Sequence, residues 1–393
     1  MHRTTLALLL LASTLRAQGN PPAVDQKDVN AAIAKGAEYL KRRGSDFGYA
    51  NAQSELVVLT LLHAGLSRSD DPLDKGIAWV KGIDVEHLDG MEKHKTYRVA
   101  IAAMALEALH QDGNDGKAAQ FAQFLVCNQC DNGEWAYGEN IDLPQELKTP
   151  KEVVSGGGDP NAKPPDPGKK GGTTAKAKIP INCPHRKGGP KGDNSNTQFA
   201  ILGLRACADL GSGIPDLTWK DAQKAMQDAQ DDDGSWEYKG KSEKGGKSTK
   251  KGGAGRAPEG YGSMTASGFC DFVICDHFLG QDWKKDKGVD RGAKWLGDHF
   301  TVTENAKENP AQEGFGASFH YYYLYALERA GDLSGTEKFG GHAWYLEGAR
   351  YLLDHQNPDG SWKDDTEEKG GKVVDTCFAI LFLSRATPTI STK

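Results

Sequence analysis

The chain lacks most of what would let it cross a membrane or grip a nucleic acid. Beyond an N-terminal apolar run, no stretch reaches the roughly 20 uninterrupted apolar residues of a membrane span. The formal net charge is -6 over 393 residues, so no basic footprint meets a phosphate backbone. Three familiar chemical signatures are missing too. There is no G-x-S-x-G, no H-E-x-x-H, and no glycine-rich loop in a strand–loop–helix setting. The expectation is a protein that does not span a membrane, does not bind nucleic acid, and uses no metal or cofactor.

Cysteine is sparse and odd in number, at seven. Cys207, Cys270, Cys275 and Cys377 fall inside apolar helical segments, where a free thiol behaves as a small hydrophobe. Cys127, Cys130 and Cys183 fall at loop edges. Cys127-x-x-Cys130 with Cys183-Pro184-His185 has the composition of a zinc site. The other reading is a disulfide from Cys183 to Cys127 or Cys130, which suits an oxidising compartment. The N-terminus favours that compartment. His2 and Arg3 precede an apolar run from Leu6 to Ala12, and small and polar residues follow to Ala17. This is the pattern of a secretory signal peptide over residues 1–17, with mature protein starting near Gln18 and lying in a secreted or periplasmic location. No cysteine near that point offers a lipid anchor.

What is present is repetition. From about residue 25 to 388 the sequence alternates an amphipathic helical segment with one that is apolar almost all round. The last pair is the clearest copy. Its first helix ends in Gln356-Asn357-Pro358-Asp359-Gly360, and its second runs from about Thr376 to Arg385. Six such hairpins are legible, and six outer-plus-inner pairs can close a ring with no end left to cap. Two low-complexity inserts interrupt it, at about 138–192 and 239–260, rich in Gly, Lys and, in the first, Pro. Both follow the same kind of turn, so both should emerge on one rim. They are either solvated loops too poor in apolar residues to order themselves or a basic lip over a pocket or an anionic surface, and a protein partner could be met through them.

The turns themselves repeat: Gln230 to Trp236 reads QDDDGSW, Gln356 to Trp362 reads QNPDGSW, and Asn128 to Trp135 is a looser NQCDNGEW. These resemble the QW motifs of the squalene-hopene and oxidosqualene cyclase family. The hairpin array is similar to the α/α toroid shared by terpenoid cyclases and protein prenyltransferase β subunits. The resemblance implies an all-α, α6/α6 toroid with a hydrophobic, isoprenoid-like small molecule in its central cavity. It gives Gln230, Trp236, Gln356 and Trp362 a structural role. The family's proton donor lies in a DxDDT motif; Lys372 to Thr376 reads KVVDT, which keeps only Asp375 and Thr376. Asp375 is either that acid or the N-cap of the last helix. Asp375-Thr376-Cys377 also has the first spacing of the prenyltransferase zinc set, for which His320 could supply the third ligand.

The inner-helix starts predict a polar collar at one mouth of the ring. It comprises Ser54-Glu55, Tyr97-Arg98, Asn196-Thr197-Gln198, Thr265 with Ser267, His320-Tyr321 and Asp375-Thr376. Asp375, His320 and Tyr321 are the candidate acid/base groups. Tyr322, Tyr325, Gln198 and Arg98 are the candidate ligand contacts. Asp231-Asp232-Asp233 reads as a solvated turn or a calcium ligand set. Two further functions remain open beside the isoprenoid reading: a non-catalytic scaffold, and a polysaccharide-active toroid enzyme. The lining of the centre separates the three. A closed aromatic pocket fits the first, a plugged core the second, and an open cleft with Arg and Lys the third.

Overall fold

Two helix types with different burial alternate along the chain, and their difference builds the architecture. A computed structural model describes residues 24–43, 54–88, 94–109, 113–148, 178–239, 260–307, 319–363 and 371–390. The outer helices are α1 (Gln26–Arg43), α3 (Leu73–Gly82), α5 (Asp115–Cys127), α8 (Asp216–Ala229), α10 (Lys287–Asp298) and α12 (Trp344–Asp354). The inner helices are α2 (Ser54–His63), α4 (Lys95–Ala108), α7 (Asn194–Asp209), α9 (Gly262–Phe278), α11 (His320–Ser334) and α13 (Gly371–Ser384). A short α6 (Gln145–Lys148) lies in the first insert. Helix α1 buries one stripe, Val29, Ala32, Ile33, Gly36, Ala37 and Leu40, with Tyr39 beside it, and leaves most of its other side chains exposed. Helix α9 is buried on every side from Gly262 to Asp276. A stripe seats a helix on one neighbour, whereas all-round burial requires neighbours on all sides. The inner helices therefore pack in the order α2, α4, α7, α9, α11, α13, and α13 returns to α2. Six helical hairpins close into a ring.

Three G-x-W turns, after α5, α8 and α12, each bind their outer helix to the next one. Gln129 Nε2 donates to Gly133 O and to Thr218 O in α8, both at 3.0 Å. Gln230 Nε2 donates to Gly234 O at 3.0 Å and to Gly288 O in α10 at 2.9 Å. Gln356 Nε2 donates to Gly360 O at 3.0 Å and to Ala32 O in α1 at 2.9 Å. Each tryptophan then donates its indole N–H back to its own outer helix: Trp135 to Leu125 O at 2.7 Å, Trp236 to Met226 O at 3.0 Å and Trp362 to Leu352 O at 2.8 Å. Each tryptophan backbone N–H donates to an inner-helix threonine hydroxyl, on Thr197, Thr265 and Thr376. The turn glycines are obligatory. Gly234 has φ +97° and Gly360 φ +95°, and an added Cβ would lie 2.5 Å from Arg291 O and 2.4 Å from Lys35 O. The last of these turns closes the ring onto α1, where Arg42 Nη2 also donates to Asp359 O at 2.8 Å.

Three expectations need correction. The last inner helix begins at Gly371, not near Thr376, so Asp375 lies more than one turn inside it and does not cap it. Apolar Val373 and Val374 extend the helix backward by one turn. The first insert is also ordered at both of its ends. Ile141, Leu143, Leu147 and Ile181 are buried, and a Cys127–Cys183 disulfide pins its far end to α5. Four apolar residues and one covalent link offset the chain entropy that its Gly/Lys-rich middle cannot. Its residues 149–177, residues 240–259 of the second insert and residues 1–17, where a signal peptide is expected, lie outside the described residues. A two-residue parallel pair, β1 (Ile179–Pro180) with β2 (Ser212–Gly213), is the strand content among the described residues and was not legible in the sequence.

Outer and inner layers are also coupled by titratable groups. Gln223 of α8 donates to Asp276 of α9. Burial pushes the Asp276 carboxyl up to about 6, the Asp286 charge adds to this, and the Gln223 bond opposes it. A carboxyl raised in the folded state binds a proton that the unfolded chain has already lost. Its stabilisation is complete below the unfolded value and is lost as pH rises through the folded one. Stability is therefore expected to fall between about pH 4 and pH 6 in urea titrations. Asp276→Asn should flatten that part of the profile.

Candidate functional site

The mouth of the ring at the inner-helix N-termini is built from aromatic rings carrying hydroxyls. Tyr97 is the third residue of α4, Ser195 the second of α7 and Tyr322 the third of α11. Tyr97 Oη donates to Ser195 Oγ at 2.8 Å, and Ser195 Oγ lies 3.3 Å from Tyr322 Oη. Tyr137 and Tyr238 each follow a G-x-W tryptophan by two residues, and their backbone carbonyls accept from the first turns of α4 and α7. The Tyr238 hydroxyl hydrogen-bonds to Asp193 and Tyr137. Asp193 caps α7, accepting from Asn196 N at 2.9 Å and Asn196 Nδ2 at 2.8 Å. The rings form a continuous surface: His94 and Tyr137 have centroids 5.6 Å apart, Tyr97 and Phe199 5.1 Å, and Tyr322 and Phe378 5.7 Å. Tyr137 is 43% exposed, and Tyr97, Tyr238 and Tyr322 are half-buried.

Burial sets the charge of this surface. It pushes the phenols of Tyr97, Tyr238 and Tyr261 up, and Tyr322 up to about 12; the nearby Asp193 adds to each. The phenols therefore stay neutral and can donate hydrogen bonds. Burial also holds the Asp193 carboxyl above its usual range, while donation from Asn196 and Tyr238 pulls it back.

Below the mouth, contacts cross the interior. Helices α7 and α11 are two places apart in the ring, with α9 between them. Even so, Phe199 of α7 stacks on Tyr322 of α11, with centroids 6.2 Å apart and planes 14° from parallel. Gln198 Oε1 accepts from Arg329 Nη2 at 2.7 Å and from Ser267 Oγ at 2.6 Å. Tyr325 covers the Arg329 guanidinium at 4.1 Å and stacks on Phe378 at 5.4 Å. At this depth side chains of α7 and α11 meet inside the ring.

The chain is an α/α toroid. Three solved structures share its course. A possible member of the GH105 family from Salmonella enterica serovar Paratyphi A superposes with TM-score 0.52 at 11% identity, over 97% of this chain and 98% of that one. A possible GH105 member from Klebsiella pneumoniae gives 0.51 at 11% identity, over 97% and 98%. A type II terpene cyclase from Scytonema, holding its product merosterolic acid A, gives 0.49 at 12% identity, over 92% and 97%. No family model matches the chain, and no curated protein does. At such identities the likeness to the two GH105 structures establishes the fold alone.

The toroid distributes the sequence-derived candidates over different places. Tyr322 reaches the mouth, and Tyr325 and Gln198 lie just beneath it. Arg98 does not reach either level. It is buried against Glu55, Nε to Oε2 3.3 Å, with its guanidinium over the outer-helix Trp79. His320 turns to the outer layer. Its Nε2 lies 2.9 Å from Val302 O after α10, and its ring meets the edges of Tyr321 at 5.4 Å and of Tyr351 of α12 at 5.1 Å. Asp375 is fully buried in the ring wall. Among the described residues, no group of three His, Cys, Asp or Glu side chains is placed to hold a metal, so the Asp375, Cys377 and His320 zinc set is not assembled. The Cys377 thiol instead bonds with Thr60, and burial pushes it up to about 12. Asp233 Oδ1 accepts from Ser235 N and Oγ, a closed turn. The sequence reading missed Asp193, Ser195, Tyr238 and Tyr137. A signal existed in the repeated W-x-Y, Trp135-Ala136-Tyr137 and Trp236-Glu237-Tyr238.

Proposed function

We propose that this toroid is an exported binding protein that holds a saccharide chain across its aromatic mouth. The observation that carries this is the pairing of ring faces with hydroxyl donors. Tyr97, Tyr238 and Tyr322, with Ser195 and Asp193, surround the mouth, beside the exposed ring of Tyr137. A pyranose presents C–H groups on its faces and hydroxyls on its edges, so it uses both features. A polyene uses only the rings and would take the phenols, Ser195 and Asp193 out of water without offering them a hydrogen bond. The polar contact of Gln198 with Arg329 inside the ring argues against a long apolar ligand at that depth. Acid-initiated cyclisation is also disfavoured, because KVVDT retains one of three carboxylates and Asp375 sits in the wall. Export rests on the residue 1–17 pattern and accords with the Cys127–Cys183 disulfide. Mass spectrometry of the mature N-terminus should begin near Gln18.

Affinity electrophoresis through gels carrying neutral, acidic or sulfated soluble polysaccharides tests the reading. One class should retard the protein, and Tyr137→Ala should cut that retardation at least about tenfold in apparent affinity, the scale of a lost aromatic contact. No retardation by any class, together with saturable quenching of tyrosine fluorescence by geranylgeraniol, would overturn it in favour of an isoprenoid ligand.

A further inference from the structure

The described residues bury three arginines, all on inner helices: Arg98, Arg205 and Arg329. Two have carboxylates in contact. Arg98 meets Glu55, and Arg205 meets Glu107 at 2.5 Å and Asp209 at 2.8 Å. Arg329 is 1% exposed, and the polar groups it meets are the side-chain carbonyl of Gln198 and the phenol of Tyr325. Its Nε and Nη1 have no hydrogen-bond partner, and neither has the Gln198 Nε2 beside them. A guanidinium cannot shed its proton to escape burial. A buried charge needs a counter-charge, and each orphaned donor carries a desolvation cost.

We propose that Arg329 and Gln198 form a buried site for a small monovalent anion of halide size at the centre of the ring. The orphaned atoms are N–H donors from two helices, which suits a species that only accepts. Size is limited by the aromatic rings of Phe199, Tyr322 and Tyr325 around the guanidinium. Arg329 is seven residues beyond Tyr322 on α11, its Cα roughly 10 Å further along the helix, and its guanidinium lies beneath the rings of Phe199 and Tyr325. Those rings cover the guanidinium, and at 1% exposure it does not face the solvent-exposed mouth, so the site is distinct from the saccharide surface. The titratable groups whose fields reach Arg329 do not supply the missing charge. Both oxygens of Asp271, one turn beyond Ser267 on α9, also lack partners, and burial pushes its carboxyl well up toward the neutral form. Burial likewise keeps Cys270, Tyr322 and Tyr325 protonated, and burial with the Asp332 charge pushes the Glu328 carboxyl, already held by Thr387 N and Oγ1, well up.

Bromide supplies the test, because it replaces chloride and scatters anomalously. Crystals of the full chain grown in bromide should show an anomalous peak within about 3.5 Å of Arg329 Nε and Gln198 Nε2. In solution, the midpoint of thermal unfolding should rise by at least about 2 °C when sodium chloride replaces sodium gluconate at equal ionic strength, and the rise should saturate. Gln198→Leu removes one donor and leaves the guanidinium in place; it should weaken the chloride effect at least about tenfold in half-saturating concentration. Arg329→Gln should abolish both signals. Water without bromide at this position, or a midpoint indifferent to which anion is present, would overturn the proposal.

Discussion

Trp362→Ala is expected to lower the unfolding free energy by about 3–5 kcal/mol and to loosen the ring at its seam. The indole is fully buried. Its N–H donates to Leu352 O at 2.8 Å, and its backbone N–H donates to Thr376 Oγ1 at 3.0 Å. Its ring lies where a Cβ at Gly36 would be, 2.8 Å from the nearest ring carbon, so α1 is laid directly on it. Truncation removes apolar contacts on both sides and leaves a cavity that helix backbones cannot close. Trp236→Ala is the matched control. It removes the same side chain from an equivalent turn, with an indole bond to Met226 O at 3.0 Å, but α9 and α10 are continuous neighbours there. Both variants should lose similar stability in urea titrations. Only Trp362→Ala should accelerate amide exchange preferentially in α1. Equal exchange in α1 for the two variants would show that the seam is no weaker than any other joint.

Glu55→Ala is expected to cost about 3–5 kcal/mol, the penalty for leaving one member of a buried ion pair without its counter-charge. The two side chains are 1% and 2% exposed, and burial pushes the Glu55 carboxyl up even though Arg98 opposes it. Desolvation is thus the larger influence, and the pair is held for arrangement more than for net stability. The double variant Glu55→Met with Arg98→Met should recover most of the loss, because an apolar pair of similar volume removes both desolvation penalties. Chemical denaturation of the two single variants and the double variant measures this as a coupling energy. If Arg98 contacted ligand, its replacement would weaken binding while sparing stability. The buried position beside Trp79 predicts the reverse.

The ring was legible because its signals are local and repeated. Helix α1 shows its buried stripe in the spacing of Val29, Ala32, Ile33, Gly36 and Leu40, and α13 shows none because it is buried all round. The turns announced themselves as Gln, Asp, Gly and Trp at fixed offsets, and the glutamines prove to bind the next outer helix, as structural residues should. The mouth was less legible. Its members come from segments far apart in sequence: Tyr97 and Ser195 are 98 residues apart, and Ser195 and Tyr322 are 127 apart. Their meeting depends on the ring being closed, which no local pattern encodes. Polar residues at helix starts also look alike whether they face the axis or the outer layer. Tyr322 and His320 are two positions apart, yet one joins the mouth and the other turns to Val302. A one-residue change on a helix rotates a side chain by about 100°, so the sequence gives the collar without the side it faces.

The clasp between Gln356 and Ala32 joins residues 324 positions apart. Synthesis therefore presents α1 long before its partner exists, and closure is a late, long-range event in folding. Once closed, the ring has no preferred beginning. Gln26 and Asn30 near one end of the described chain, and Leu383, Ser384 and Arg385 near the other, line the same cleft of about 380 Å³. A short linker across that cleft would convert the clasp into a continuous backbone, and new ends could be opened within 149–177 or 240–259. Such a circular permutant keeps every joint of the toroid while making α12, α13, α1 and α2 sequential neighbours.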